Sequence, residues 1–188
     1  ALLSTTTGCC NTSIGQGSMS ANSTGDNNVA VGVLALTTNT TADNNTGVGS
    51  FALCKNTEGF SNTAVGHCAI FTNTTGDKNT GVGVGALLVS TTADNNTAVG
   101  YLSLAANTTA ATNVAVGALA LTTNSTGAAN VGIGYQALED NTTGENNVAI
   151  GREALEDNTT ADYNVAIGSY ALQKNTTGAQ NIAIGGQA

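Results

Sequence analysis

Eight asparagines head Asn-x-Ser/Thr triplets at one recurring position: Asn22, Asn39, Asn73, Asn107, Asn124, Asn141, Asn158 and Asn175. Their separations are 17 residues or a multiple of it. An amide followed two residues later by a hydroxyl is the acceptor pattern for N-linked sugars. A chain that met the glycosylating machinery would carry a stripe of glycans along one edge. A plainer reading competes, because Asn and Thr also build tight turns and stacked amide ladders. The slot accepts Ser90, and Glu58 spoils the triplet at Asn56, so turn geometry explains the series somewhat better than sugar attachment does.

Other reactive residues carry less. Asp26, Asp43, Asp77, Asp94, Glu145 and Asp162 share a slot and would stack as carboxylates beside Asn, a set that suits a hard cation such as calcium. Phe60, Ala111, Ala128 and Ala179 interrupt the series, and the calcium-binding nonapeptide is missing, so these read as solvated turn residues. Cys9, Cys10, Cys54 and Cys68 have no zinc-site spacing and read as small apolar fillers. The single histidine, His67, occupies a slot that elsewhere holds Val33, Ser50, Tyr101 and Arg152, which makes it a surface residue rather than a general base. Glycine strings such as Gly81-Val82-Gly83-Val84-Gly85 open no helix, so no phosphate loop is read from them. No catalytic residue, cofactor site or metal site is assigned, and the chain is not read as an enzyme.

Composition narrows the partners. Only 9% of the 188 residues are charged and the net charge is −8, so no basic stripe exists to neutralise nucleic-acid phosphates or anionic lipid. No apolar run is long enough to cross a bilayer, and no secretion leader is visible. With three Phe, four Tyr and no Trp, aliphatic and small residues must fill the interior.

All these slots belong to a repeat. Glycines at 15, 32, 49, 66, 83, 100, 117, 134, 151, 168 and 185 each close a pentapeptide of the form Asn-Val-Ala-Ile-Gly, seventeen residues apart with no insertion. An unbroken array of this kind is one stacked object, here read as a single continuous unit over 1–188. The chain opens on Ala1-Leu2, in the slots of Ala35-Leu36, and closes on Ala188 in the alanine slot. It therefore reads as a segment of a longer fibre or a subunit joined end to end.

Within the turn from Asn28 to Asn44, the β-branched residues Val29 and Val31 alternate as in a strand and are expected to point inward. The small slot between them would then face outward. Ala30, Gly47, Ala64, Gly81, Ala98, Ala115, Gly132, Ala149, Ala166 and Ala183 are accordingly the expected assembly face. Ala35-Leu36 is expected to form a second short strand with an inward leucine. The Asn slot should stack as an amide ladder. Such a thin coil would be marginal alone, and a homotrimer packed through the small face is the economical closed assembly. Apolar corner residues in the early turns (Leu34, Phe51, Phe71, Leu88, Val89, Leu102, Leu119) give way later to Gln136, Glu139, Arg152, Glu153, Glu156 and Lys174, so the N-terminal corner is expected to be covered.

The Asn-Val-Ala-Ile-Gly…Ala-Leu pattern, at the Asn164–Gly168 and Ala171-Leu172 positions among others, resembles the head repeat of trimeric autotransporter adhesins, the YadA-like β-roll. It is also similar to the Asn-Thr-Ala-Val-Gly…Ala-Leu…Asn-Thr-Thr-Gly arrays of phage-type tail fibres. The resemblance spans the chain. It implies a left-handed parallel β-roll assembled as a homotrimer and used as a rigid surface or tail fibre. The turn here is longer than in those heads, the extra residues falling in the Asn-Thr-Thr-Gly corner.

The expectation is an all-β parallel β-solenoid (β-roll) of eleven 17-residue turns, left-handed and homotrimeric. It would serve as a structural or adhesive fibre segment at a cell surface or on a virion, with itself as main partner and a cell-surface or glycan receptor at its variable slots. Two alternatives are a glycosylated single-chain filament and an ice-binding solenoid, the latter using hydroxyls in the slots of Thr40 and Thr41 with Asn39 and Thr41 on one face.

Overall fold

The computed structural model describes residues 1–188. Eleven three-residue strands recur, from β1 (Thr12–Ile14) and β2 (Val29–Val31) to β10 (Val165–Ile167) and β11 (Ile182–Ile184), with no helix. They pair in parallel and in sequence order as one sheet. Each step shifts the register by one repeat, so Val29 lies on Thr46 and Ala30 on Gly47. Parallel neighbours need a long crossover, and the remaining residues of each turn supply it. The chain is an all-β parallel solenoid.

Strand pairing is the smaller part of the backbone bonding. Of 119 backbone–backbone hydrogen bonds only 20 lie within the strands, so the corners are bonded from turn to turn as the sheet is. Leu36 N–H donates to Ala52 O at 3.0 Å, and Asn44 N–H to Asp26 O at 3.0 Å. The Ala-Leu segment is therefore not the expected second strand. It is a bend, because Leu36 and every residue in its slot take positive φ, between 44° and 55°. A left-handed residue with a Cβ costs about 1–2 kcal/mol. Burying leucine completely contributes about 1.5–3 kcal/mol, and Leu36, Leu87, Leu121 and Leu155 are all fully enclosed. The bend turns the chain sharply and puts leucine on the coil axis.

That placement reverses the expected sidedness of the strand. Ala30, Ala64, Ala98, Ala115, Ala149 and Ala166 have no exposed surface and join the leucine file in the core. Gly47, Gly81 and Gly132 occupy the same buried slot, and Ala183 is half-buried on the last rung. The small residues are thus the interior lining, not an assembly face. The β-branched residues flanking them look out: Val29 and Val31 are half-buried, and Val65, Ile133, Ile150 and Ile167 are 36–37% exposed. The cause is steric. At Gly47 an added Cβ would lie 3.4 Å from Leu36 Cγ, so the leucine of one turn fills the space under the small slot of the next. No room remains inside for a β-branched pair.

The early corner residues cover one another. Phe51 meets Phe71 edge to face with ring centroids 6.3 Å apart, and Lys55 Nζ sits 5.2 Å from the Phe71 ring centre. Leu34, Phe51, Phe71, Leu88, Val89, Leu102 and Leu119 are all half-buried within the single coil. Part of the covering expected from a partner is therefore supplied by stacking within the chain.

One position tests this packing directly. An added Cβ at Gly81 would stand 2.7 Å from Ile70 Cγ1, where the leucine of the same slot keeps its Cγ 3.4 Å from the equivalent point at Gly47. Gly81→Ala is expected to lower stability by about 1–3 kcal/mol through overpacking. In an Ile70→Leu background the same change becomes neutral or mildly stabilising, as expected for Gly47→Ala. Denaturant melts of the four members of the cycle measure the coupling.

Candidate functional site

The eight triplet asparagines lie inside the coil. Asn22, Asn39, Asn73, Asn107, Asn124, Asn141 and Asn158 have no exposed surface, and Asn175 near the open end is half-buried. The nitrogen that would carry a sugar is engaged. Asn39 Nδ2 donates to Asn22 Oδ1 at 2.8 Å and to Ala42 O at 3.0 Å, and Asn141 Nδ2 donates likewise to Asn124 Oδ1 and Gly144 O. A glycan on any of the enclosed seven would have to leave through the wall of the coil. These seven form a buried amide ladder, the reading already preferred to a stripe of sugars.

A second ladder runs beside it. Asn28 Oδ1 accepts the backbone N–H of Asn45 at 2.8 Å, while Asn28 Nδ2 donates to Ala42 O at 2.8 Å. Ala42 O therefore receives one amide from each ladder, and so do Gly59 O, Gly127 O and Gly178 O. Sequence reasoning anticipated stacking in the Asn28 slot but missed that both asparagine slots meet at one carbonyl. The signal was the small residue three places after Asn39, always Gly or Ala, which lets two side chains approach that peptide.

The carboxylate slot also serves the backbone. Asp43 Oδ1 accepts the Asp26 N–H at 2.7 Å, Asp77 the Phe60 N–H at 2.9 Å, and Asp162 the Glu145 N–H at 2.7 Å. No three carboxylate, thiol or imidazole groups converge as a metal set would require. The corner hydroxyls are similarly engaged: Thr40, Thr57, Thr74 and Thr91 each donate to the next turn's carbonyl at 3.0–3.3 Å. A water-ordering role for the Thr40 row loses its hydroxyls to these bonds.

The cysteines form no disulfide. Cys9 and Cys10 are exposed, and Cys54 and Cys68 are partly covered. Hydrogen bonds with Cys10 and Asp26, and the charge of Asp26, push the Cys9 thiol up to about 11. Burial raises Cys54 and Cys68. These three thiols are held further from the thiolate form that a nucleophile needs. His67 Nε2 lies 3.3 Å from Cys68 Sγ, with its ring edge-on to Phe51.

What remains is the outside of the sheet. Two rows of side chains run along it, Thr12 to Ile182 and Ile14 to Ile184 at seventeen-residue steps, all β-branched and none charged. Successive strands rise about 4.8 Å, so the face is on the order of 50 Å long. Its threonines cluster: Thr46, Thr63, Thr80 and Thr97 stand on four consecutive strands, and turns from Val114 onward carry only Val and Ile. The use of Thr in five of eleven copies was the sequence signal for a half-exposed slot. On a neighbouring corner, the variable exposed file includes Tyr101 and Tyr135, and Arg152 lies 5.9 and 5.4 Å from the ring centres of Tyr135 and Tyr170.

Two outcomes follow. Glycopeptide mapping of protein made in a glycosylating secretory host should find Asn22, Asn39, Asn73, Asn107, Asn124, Asn141 and Asn158 free of sugar, because the folded coil encloses them, whereas the exposed triplets at Asn44 and Asn95 stay open to it. The second concerns Glu139, whose carboxyl is held above the usual range by burial and by the charges of Asp140, Glu156 and Glu153, against the Gln136 amide that donates to it. A raised folded pKa adds stability below the unfolded value, about 4.3, which is lost as pH rises through the folded one. Thermal midpoints should therefore fall as pH rises through that window, and Glu139→Gln should flatten this part of the profile.

No protein-family model matches the chain, and no curated protein or solved structure matches it, so the function is argued from this geometry.

Proposed function

We propose that the chain is a segment of a structural or adhesive fibre, a rigid rod that associates with further copies of itself through the outer face of the sheet. The observation that carries this reading is that face: two uncharged rows of β-branched side chains, in register over eleven strands, with Ile133, Ile150 and Ile167 more than a third exposed. Scattered surface aliphatics need no explanation, but a continuous strip is the mark of an association surface. A strip about 50 Å by 10 Å on each of three copies removes on the order of 1,500 Å² from water in a closed trimer, about 500 Å² for each pair of neighbours, so closure of the ring rather than any single contact brings the assembly into the range of specific interfaces.

A homotrimer is the assembly favoured. In a three-fold arrangement each subunit meets two neighbours, and two parallel rows supply one to each: the Val29 row of one copy faces the Val31 row of the next. This is a closed heterologous contact. The resemblance to adhesin heads and tail fibres points the same way, and with it come the left-handed coil and a place outside the cell or on a virion. Receptor contact, for an adhesive fibre, falls to the variable exposed file with Tyr101, Tyr135 and Arg152. The enclosed sequons weigh against a glycosylated single-chain filament.

One observation favours a second reading. The hydroxyls of Thr46, Thr63, Thr80 and Thr97 stand in a row beside the methyls of Val48, Val65, Val82 and Val99, a regular uncharged array able to order water. Ice binding would then use the sheet face and not the Thr40 corner.

Sedimentation equilibrium distinguishes these. Trimer mass is expected for the native chain, and Val131→Lys with Ile150→Lys on the outer rows should return it to monomer while far-ultraviolet dichroism stays unchanged. A native monomer would remove the fibre interface, and thermal hysteresis in that monomer would establish the ice reading.

A further inference from the structure

The ladder through Asn39 is interrupted once in the middle of the rod, at Ser90, and the groups around that residue are each short of one bond. Asn73 Oδ1, which in other turns would accept the amide of the next rung, has no partner, and neither does Ser90 Oγ; both residues are fully enclosed. Ala93 O receives only Asn79 Nδ2, at 2.6 Å, where its counterparts Gly76 O and Ala110 O receive two amides. Asn107 Nδ2 donates to Ala110 O at 3.0 Å and finds no rung acceptor below it.

We propose that a single water molecule is bound inside the coil at Ser90 and takes over the bonds of the missing asparagine amide. An asparagine in this slot gives two N–H bonds, to the amide oxygen one rung below and to the carbonyl three residues on, and accepts one from the rung above. Water has the same complement. Its two hydrogens go to Asn73 Oδ1 and Ala93 O, and its oxygen accepts from Asn107 Nδ2 and from the Ser90 hydroxyl. Serine is shorter than asparagine by about the space of one water, ~30 Å³ of liquid. Buried waters of about three hydrogen bonds to otherwise unpaired groups are ordinary parts of protein interiors. Enclosed polar atoms left without partners are destabilising, so a molecule that bonds to both is held firmly.

The same pattern recurs at the other non-asparagine copy of the slot. Thr5 Oγ1 is enclosed without a partner, and Asn22 Nδ2 has Gly25 O as its one acceptor. All three unpaired buried side-chain atoms of the molecule thus sit where this ladder loses an asparagine or directly beside that point.

Water–protein Overhauser spectra on the isotopically labelled chain test the site. A long-lived water should give cross-peaks to the Asn107 side-chain amide protons in the native protein. Ser90→Asn completes the ladder, so the cross-peaks should vanish and the thermal midpoint should rise. Ser90→Ala keeps three of the four partners and should retain the signal with faster exchange. Absence of the water from the native protein, or its persistence in Ser90→Asn, would overturn the proposal. Loss in Ser90→Ala would also overturn it, since the serine hydroxyl and not the interrupted ladder would then be the holder. Chain number does not enter any of these readouts.

Discussion

A backbone carbonyl buried at the same point of the turn, with Ala42 as the example, accepts two asparagine amides wherever both slots hold asparagine, and the rest of the coil is arranged around that convergence. A peptide group enclosed without partners is costly, and two carboxamides per turn are costlier still unless they are bonded to each other and to the chain. Bringing both inward fills much of the cross-section with polar atoms. The apolar remainder is then one leucine and a few alanines per turn, which is why so few aromatic residues suffice. It also requires Gly or Ala at the accepting carbonyl and a residue no larger than the Ser13 of the first turn at the Ala30 slot, since a bulkier side chain would meet leucine or amide.

The arrangement specifies register more strictly than an aliphatic core would. An aliphatic file slipped by one residue loses area, whereas a slipped amide ladder leaves a buried donor and acceptor unpaired on every rung. Only the seventeen-residue step satisfies Asn28 Oδ1, Asn39 Nδ2 and Ala42 O together. The left-handed bend at Leu36 and the glycine at 32 follow from the same demand. Gly32 has φ of 138°, and a Cβ there would overlap the Gly49 carbonyl of the next turn. Each turn accepts local strain because the stacked rungs over-determine it.

This explains which parts of the structure were legible in the sequence. Period, parallel stacking, the leucine anchor and the rung-to-rung ladder at Asn28 all follow from spacing, which is visible. Sidedness was not, because strand alternation separates Val29 and Val31 from Ala30 without saying which set is enclosed. The usual preference for burying β-branched residues suits a sandwich core, yet fails in a coil whose axis already holds Leu36 and two asparagines. Sequence left a sugar alternative open at the triplet asparagines for a related reason. Their neighbours Thr40 and Thr41 are turn residues at the surface, and nothing in a triplet distinguishes an amide that points to solvent from one that points to the axis. The second strand expected at Ala35-Leu36 failed on backbone conformation: leucine at positive φ is uncommon, so no composition rule anticipates a slot of eleven such residues, nine of them leucine, stacked along the coil.

The division of labour between inside and outside bears on function. Inside, nearly every slot is held to one or two residue types by bonds to the rungs above and below, so the interior has little freedom to carry recognition. Outside, the corners vary freely, from Phe51 and Phe71 to Glu153 and Lys174. The sheet face is the exception, since Val29 and Val31 make none of the ladder bonds and touch little of the core. Interior packing therefore does not account for their restriction to Val, Ile and Thr through eleven turns. β-Propensity explains part of it, but propensity tolerates Tyr and Phe on an open face, and neither occurs in these two rows. Side chains held narrow, uncharged and in register for the length of the rod are what close lateral packing against a like surface requires, and this residual constraint is the reason the proposed assembly is placed there.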